Sequence, residues 1–321
     1  MAPGGAGRSR RAPAGACRAL FGTHEREVAI GSSDAPLYDG PKTRASSRSV
    51  AGRGRPPGWK SANLPDPARC NSLWIGPRLG AVQRACLRSA LRHGHEPILY
   101  CYRPPDHVPD GVKLRDASAI VPESAVIRHR KTGSVALFSN LFRYELQRRG
   151  EGLWIDADVY LLAPITFDRP HLFGWQEPGL INNAVLRLPP DSPLIPALLE
   201  PFEERTVPSW LPLRARLAAH WRRQRSGRAD LSLMPWGSAG PLALTALARR
   251  HGLDREALPS DIFYPVNWRN AGWIADPAIG LDRMITPATI AIHLWNETIR
   301  DIKDQPAAPG SFLARLQEEG R

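Results

Sequence analysis

The sequence has few cysteines, and they are widely separated. They stand at Cys17, Cys70, Cys86 and Cys101, with neither the close spacing of a zinc site nor the density of a disulfide scaffold. We therefore expect a protein of a reducing compartment whose fold depends on a hydrophobic core rather than on cross-links.

Long apolar runs are also missing. No stretch approaches the roughly 20 apolar residues that a membrane-spanning helix needs. The N-terminus carries arginines, but it lacks the continuous apolar segment of a secretory signal. An arginine-rich start can imitate a transit peptide, which we do not favour. We expect a cytoplasmic protein, with peripheral contact at the inner face of the cell membrane left open.

The first 67 residues lack hydrophobic periodicity. Residues 1–67 are rich in Ala, Gly, Pro, Ser and Arg, and they carry eleven basic residues against five acidic ones. Such a segment buries too little apolar surface to offset its ordering entropy, so we predict a disordered basic tail. A basic arm that binds nucleic acid or membrane, and a translation start placed too early, are the alternatives.

Positive charge dominates the whole chain. The formal net charge of +12 favours an anionic partner, such as nucleotide phosphates, an acidic lipid surface or nucleic acid. No nucleic-acid recognition motif accompanies the charge, so we expect no nucleic-acid partner.

Ordered structure is predicted to begin near Cys70, with a strand, a helix and a second strand. Residues 73–76 and 98–102 have strand character, and residues 77–92 have helical spacing that ends before Gly94. This succession within about 30 residues predicts a βαβ unit, whose parallel strands bind ligands beyond their carboxyl ends.

The later part of the chain continues the pattern less regularly. A helix is predicted over residues 135–149, and strands are predicted over residues 184–188 and 289–295. We predict one α/β domain over residues 68–304. Residues 305–321 form a predicted C-terminal tail with little to anchor it beyond a possible short helix.

The most informative stretch runs from Leu153 to Leu162. Its apolar start is typical of a buried strand, and Asp156 and Asp158 follow with one small residue between them. Strand residues two apart point the same way, so both carboxylates are predicted to face one ligand. Like charges repel unless a cation lies between them, and Mg²⁺ and Mn²⁺ prefer oxygen ligands. A solvated turn is the plain alternative for so common a motif.

Two elements beside this stretch offer further candidates. On the helix over residues 135–149, Asn140 and Arg143 share one face. Arg143 is predicted to contact a substrate phosphate or to orient a site carboxylate, with a solvated arginine as the alternative. Asn140 is a candidate hydrogen-bond partner for a sugar or ribose. Trp74, in the first strand, either stacks on a base or packs in the core.

Three candidates lie later in the chain. Asn182 and Asn183 precede a predicted strand and are either turn residues or donors to sugar hydroxyls. The glycine-rich turn over residues 237–241 could present backbone N–H groups to phosphate at a helix N-terminus. His293 shares a strand face with Trp295, and it is either a packed core residue or the third ligand of a metal.

An arginine-rich helix is predicted over residues 213–225. Leu213, Leu217 and Trp221 form one stripe on this helix, which also carries five arginines. We favour a charged, solvated face, with contact to an anionic membrane as the alternative.

Four motifs occur in an order that resembles the glycosyltransferases with a DXD sugar-binding region. They are NSLWIG at 71–76, SNLFRY at 139–144, LWIDAD at 153–158 and HLWN at 293–296. This glycosyltransferase family 32-like group includes capsular and lipopolysaccharide sugar transferases, α-1,4-galactosyltransferases and initiating α-1,6-mannosyltransferases. The catalytic domains of large clostridial glucosylating toxins look like distant relatives. The resemblance covers residues 70–304.

The resemblance implies a GT-A fold, with a Rossmann-like mixed sheet flanked by helices, and retention at the anomeric carbon. It implies Mn²⁺ or Mg²⁺ held by Asp156, Asp158 and His293, with the donor near Trp74 and Arg143. The implied activity moves a hexose from a nucleotide sugar, UDP-hexose or alternatively GDP-mannose, to a saccharide or lipid-linked acceptor. Surface polysaccharide or glycolipid synthesis is the implied setting.

One position departs from these relatives. They commonly carry Asp after the Ser of the second motif, where this chain has Asn140. Asparagine still forms hydrogen bonds to a sugar but carries no charge, which bears on the choice of donor. No carboxylate stands out as a covalent nucleophile, so we favour front-face substitution, in which the leaving phosphate helps to deprotonate the acceptor.

Two other classes of function stay open. A glycoside hydrolase also uses two carboxylates, but it places them ~5–9 Å apart across a sugar bond and needs no metal. A non-enzymatic protein that binds nucleic acid or a membrane surface would account for the positive charge alone.

Overall fold

The computed structural model describes residues 69–321 of the chain. The predicted basic tail over residues 1–67 lies outside the described residues and stays a prediction. Within residues 69–321, no helix combines the length and apolar character needed to cross a membrane.

Strands and helices alternate in the first half of this region and follow a less regular order in the second half. The strands are β1 (Arg69–Trp74), β2 (Glu96–Cys101), β3 (Lys113–Asp116), β4 (Leu153–Ile155), β5 (Val159–Leu161), β6 (Leu172–Glu177), β7 (Leu180–Arg187) and β8 (Ala291–His293). The helices are α1 (Ala81–Arg92), α2 (Ala136–Arg148), α3 (Leu194–Glu203), α4 (Leu213–Ser226), α5 (Pro241–Arg250), α6 (Ser260–Phe263), α7 (Leu281–Met284) and α8 (Phe312–Glu319).

The main sheet of the described region has six strands in the order β3-β2-β1-β4-β7-β6. β1 is parallel to β2 and β4, whereas β7 is antiparallel to β4 and β6. The predicted βαβ unit is confirmed, and α1 ends before Gly94, whose φ of +75° suits glycine at a helix end. The predicted α/β class, a mixed sheet flanked by helices, is also confirmed, and the arrangement is consistent with a GT-A-like fold.

The sheet brings the ends of β1 and β4 to one edge. The two strands are neighbours and parallel, with Asn71 paired to Trp154. Trp74, which ends β1, therefore lies at the same edge as Asp156, which follows β4. Ligands of open α/β sheets bind beyond such carboxyl ends.

The prediction that the strand from Leu153 continues through Asp156 and Asp158 is wrong. β4 ends at Ile155, and a turn closed by a 3.0 Å hydrogen bond from Val159 N to Asp156 O separates it from β5. β5 then pairs with β8 in a separate two-stranded sheet. Aspartate favours turns because its side chain competes for backbone hydrogen bonds. The two carboxylates therefore converge through a turn rather than through strand alternation.

Helix α2 buries polar as well as apolar residues. Phe138 and Phe142 pack in the main core with Trp154, yet Asn140 and Arg143 are buried too. α2 packs against both β4 and α3, so it is covered on more than one side. Buried polar groups in such a helix need hydrogen-bond partners, and these partners build the site described below.

The expectation that the chain from about residue 305 has little to anchor it is wrong. Phe312 and Leu316 on α8 are buried in a cluster that includes residues of α1. The Glu319 carboxylate at the end of α8 accepts hydrogen bonds from Arg92, Arg315 and Tyr160. Apolar contacts and charged hydrogen bonds together fix the C-terminal helix.

Two strands have no counterpart in the sequence prediction. β3 is a short edge strand, and β6 contains Gly174 and shifts register against β7, so neither shows a regular alternating pattern. Asn182 and Asn183 also differ from expectation, since they lie within β7 rather than before it.

Candidate metal centre and cavity

Asp156, Asp158 and His293 meet beside the turn between β4 and β5. Val159 of β5 lies opposite His293 of β8, which places the imidazole one residue along from Asp158. One ligand atom from each of the three side chains lies within 4.8 Å of the others. Two carboxylate oxygens and an imidazole nitrogen suit a Mn²⁺-type ion. The structure thus brings together the three residues predicted as metal ligands.

The Asp158 carboxylate is fixed by the segment that contains β8. His293 Nε2 lies 3.3 Å from Asp158 Oδ2, and the Asn296 N–H donates to the same oxygen at 2.8 Å. Burial acts to raise the pKa of Asp158. The charge and hydrogen bond of His293, together with the Asn296 N–H, lower this pKa by more than burial raises it. The net shift is downward, so Asp158 is held in the ionised form that binds a cation.

The Asp156 carboxylate lies in a different environment. Its Oδ1 accepts a hydrogen bond from Trp154 Nε1 at 2.7 Å and forms an ion pair with the Arg143 guanidinium at 2.9 Å. Burial raises the pKa of Asp156, Arg143 opposes this shift, and the nearby Asp158 charge adds to it. A bound divalent cation would favour the ionised form of both carboxylates.

Arg143 is a buried residue, which excludes the alternative of a solvated arginine. Its side chain is 4% exposed, and its guanidinium lies over the Trp154 ring, 4.8 Å from the ring centre. It forms an ion pair with Asp156 and donates hydrogen bonds to the backbone oxygen of Asn183 and to Ser139. These partners hold it against the metal-ligand cluster and leave it little freedom to move.

A hydrogen-bonded amide network lies next to Arg143. Asn183 Nδ2 donates to Asn140 Oδ1 and to the Tyr144 hydroxyl, both at 2.9 Å, and this hydroxyl donates to the backbone oxygen of Ala239 at 2.8 Å. Asn182 donates to Gln176 Oε1 at 2.7 Å. Sequence analysis finds the asparagines but not their pairing, because Asn183 meets Asn140 and Tyr144 from about 40 residues away in the chain.

The segment after β8 wraps around Asp158. The Leu294 N–H donates to the Asp158 backbone oxygen at 2.9 Å, and the Asn296 N–H reaches the carboxylate. Between them, Trp295 has a φ of +57°, a conformation that costs a non-glycine residue energy and is often found at functional sites. Its ring lies 4.2 Å from the His293 ring, centre to centre. The predicted strand thus ends at His293, but Trp295 still neighbours it.

The metal-ligand cluster opens onto a cavity of about 760 Å³. The predicted site residues on its wall are Trp74, Asn140, Arg143, Asp156, Asp158, Asn182, Asn183 and His293. Trp236 and Trp268, 51% and 39% exposed, add aromatic surface that sequence analysis does not single out. Trp236 stands in a turn and Trp268 at the start of a 3₁₀ helix, where the sequence pattern gives no information about which side chain faces a cavity.

Trp74 has an unsatisfied donor at this cavity. Its indole Nε1 is buried and has no hydrogen-bond partner among residues 69–321. Gly76 lies against the same ring, and a Cβ there would stand 3.2 Å from Nε1. A buried N–H without a partner is uncommon in folded proteins.

Two further carboxylates line the cavity, although sequence analysis does not identify them. Glu177 accepts a 2.7 Å hydrogen bond from Arg269, which lowers its pKa, and Glu297 pairs with Arg300. Each of the two carries an arginine partner, so neither stands free as a nucleophile.

Comparison with known proteins finds likeness to solved structures alone. No family model matches the sequence, and no curated protein matches it. A solved structure titled PaToxG Glycosyltransferase shares 14% identity, over 60% of this chain and 73% of that chain, with a TM-score of 0.38. At that level of likeness, function has to rest on the chain's own residues.

Proposed function

We propose that this chain is a metal-dependent glycosyltransferase that moves a hexose from a nucleotide sugar to a saccharide or lipid-linked acceptor. The observation that carries the proposal is the cluster of Asp156, Asp158 and His293 on the wall of a cavity of about 760 Å³. A cavity of this size suits a small-molecule ligand, since such pockets occupy about 300–1,000 Å³. Trp74 at the same sheet edge supplies an aromatic surface for the base.

The charges in the cavity suit a diphosphate leaving group. Asp156, Asp158 and His293 would hold Mn²⁺ or Mg²⁺, which would stabilise the negative charge that develops on the leaving nucleotide. Arg143 orients Asp156 through their 2.9 Å ion pair and adds fixed positive charge behind it. This arrangement favours the orienting role of Arg143 over direct contact with phosphate.

The asparagines would recognise the donor sugar. Asn140, Asn182 and Asn183 line the cavity, and their amides are held by hydrogen bonds to neighbouring side chains. Amides held in this way present donors and acceptors to sugar hydroxyls at little entropic cost. We expect UDP-hexose as donor, with GDP-mannose as the alternative.

Retention through front-face substitution is the stereochemical part of the proposal. Arginine partners occupy Glu177 and Glu297, which weakens both as covalent nucleophiles. The leaving phosphate would then help to deprotonate the acceptor hydroxyl. Surface polysaccharide or glycolipid synthesis is the setting we propose.

A panel of nucleotide sugars tests the proposal. We expect a thermal shift with one donor in the presence of Mn²⁺, followed by a glycosylated product whose anomeric configuration matches the donor. Asp158→Asn should abolish metal-dependent turnover, whereas Asp191→Asn, at an exposed residue outside the cavity, should not. Turnover that survives metal removal would contradict the proposal.

The same assay separates the alternative classes. A glycoside hydrolase would release free sugar and would keep its activity in chelator. A nucleic-acid-binding protein would bind nucleic acid in a salt-dependent way, with no effect of nucleotide sugars. Removal of residues 1–67 would then show whether the basic tail is responsible for that binding. No contact in the described region specifically favours either alternative.

A further inference from the structure

Helix α4 turns its apolar side chains outward. Leu213, Leu217 and Trp221 are 61%, 60% and 55% exposed, and within α4 only Ala219 is fully buried. Positions four apart lie along one side of a helix, so these three residues form a continuous outer stripe. The opposite side, through Ala219 and Ala215, packs on a small cluster of Leu211, Ala229, Leu231 and Met234.

Arginines flank the outer stripe on both sides. At about 3.6 residues per turn, Arg214 and Arg225 fall on one side of the stripe, and Arg216 and Arg223 fall on the other. The Arg225 guanidinium also lies over the Trp221 ring, 3.9 Å from its centre. No acidic residue occurs from 213 to 226, so nothing within the helix neutralises these charges.

We propose that α4 lies in the surface of an anionic bilayer. The outer stripe would insert among the acyl chains, with Trp221 at the interface. The flanking arginines would extend to the headgroup phosphates while their aliphatic stems rest on the apolar boundary. Each arginine near an anionic surface strengthens such binding.

Charge favours lipid over a second copy of the chain as the occupant of this surface. A symmetric pairing of two outer stripes would bring the four flanking arginines of one α4 against the four of its partner, because a two-fold interface places the same patch on both sides. Anionic headgroups instead neutralise the arginines and cover the apolar stripe at once.

The contact would also bring lipid close to the cavity. Leu231, Met234 and Trp236, shortly after α4, line the cavity wall. A lipid-linked acceptor held in the same bilayer would then lie near the site. Only this consequence rests on the proposed function; the membrane contact itself does not.

Vesicle flotation of the full chain, without nucleotide sugar or metal, tests the membrane contact. The probes are vesicles of phosphatidylglycerol and phosphatidylcholine, and vesicles of phosphatidylcholine alone. We expect the wild-type chain to float with the anionic vesicles, and to do so less as salt is added. The variant L213Q/L217Q/W221Q should lose on the order of tenfold in partitioning, because its apolar stripe is gone.

Two further variants separate this surface from the rest of the chain. L114Q/W273Q removes exposed apolar residues elsewhere, at side chains 40% and 42% exposed, and should bind like the wild type. R214Q/R223Q keeps the outer stripe but removes one arginine from each side, and should weaken binding to anionic vesicles on the order of tenfold. Glutamine preserves helix propensity, and matching circular dichroism and Tm values confirm folding.

Three outcomes would overturn the proposal. Undiminished binding of L213Q/L217Q/W221Q would place the contact elsewhere, for instance in residues 1–67. Equal binding to neutral and anionic vesicles would remove the role of the arginines. Self-association that depends on the outer stripe, with no flotation, would identify a second copy as its partner. Since no sugar donor is present, each outcome leaves the glycosyltransferase proposal untouched.

Discussion

Helices α2 and α4 both carry arginines, but in opposite environments. Arg143 on α2 is 4% exposed and is bound by a carboxylate, a hydroxyl and two backbone oxygens. On α4, arginines such as Arg223 lie exposed beside an equally exposed apolar stripe. The difference arises from what covers each helix, since α2 packs on β4 and α3, whereas α4 rests on a small cluster through two alanines. The packing around each helix, rather than the residue type, decides which arginine belongs to a site.

The sharpest test of this comparison replaces one arginine on each helix by methionine. Arg143→Met leaves the Asp156 carboxylate without its buried cation, so the free energy of unfolding should fall by about 3 kcal/mol. Arg223→Met, at an exposed position, should change it by less than about 0.5 kcal/mol. Urea unfolding followed by tryptophan fluorescence measures both. Losses of similar size would show that Arg143 is not fixed as the structure describes.

The two arginines that pair with Glu319, Arg92 and Arg315, lie in a third environment. They are partly exposed, unlike Arg143, but each is paired with a carboxylate, unlike the arginines of α4 within the described region. Burial acts to raise the pKa of Glu319, but hydrogen bonds from Arg92, Arg315 and Tyr160 prevail and lower it to about 2, from an ordinary 4.5. A depressed folded-state pKa stabilises the protein above the unfolded-state value, and this stability is lost as pH falls toward the folded-state value. After screening by solvent, we expect a loss of about 1–2 kcal/mol between about pH 5 and pH 2.

Glu319→Gln should remove this part of the acid sensitivity. The matched variant is Glu318→Gln, since Glu318 is the exposed neighbour on the same helix. Urea midpoints measured across the acid range should be flatter for Glu319→Gln than for Glu318→Gln and the wild type. Identical pH profiles for the two variants would contradict the anchoring role of Glu319.

The smallest effect is expected on the outer stripe of α4. Leu217→Ala removes a side chain that is 60% exposed, so the free energy of unfolding should change by less than about 0.5 kcal/mol. Leu146→Ala, at a fully buried leucine of α2, should cost about 3 kcal/mol. A large loss for Leu217→Ala would mean that the stripe packs against protein rather than facing outward.

The local sequence pattern predicts the helices and strands better than it predicts their burial and their packing partners. The βαβ unit from β1 to β2 and the span of α2 follow from apolar spacing and from glycines at helix ends. The approach of His293 to the aspartates was expected from a resemblance in motif order, and the structure brings these residues together. Both kinds of feature are predictable because they depend on residues that are close in sequence or that belong to an ordered set of known motifs.

Burial and tertiary pairing were not predictable in the same way. Apolar spacing shows that α2 and α4 are helices, but not that Arg143 is covered and Trp221 is open. The break after Ile155 depends on β5 pairing with β8, more than 100 residues away in the chain. The anchoring of α8 depends likewise on Arg92 and Tyr160, which come from distant segments. Each of these features is decided by long-range contacts that a local pattern does not encode.

We propose that Asp156, Asp158 and His293 hold a divalent ion that binds a nucleotide diphosphate. Calorimetric titration of UDP and GDP into the full chain, with Mn²⁺ and then with chelator, tests it most directly. We expect one nucleotide to bind at least about tenfold more tightly with Mn²⁺, and we expect Asp158→Asn to lose that metal dependence while remaining folded. Nucleotide binding that ignores Mn²⁺, or metal dependence that survives in Asp158→Asn, would contradict the account.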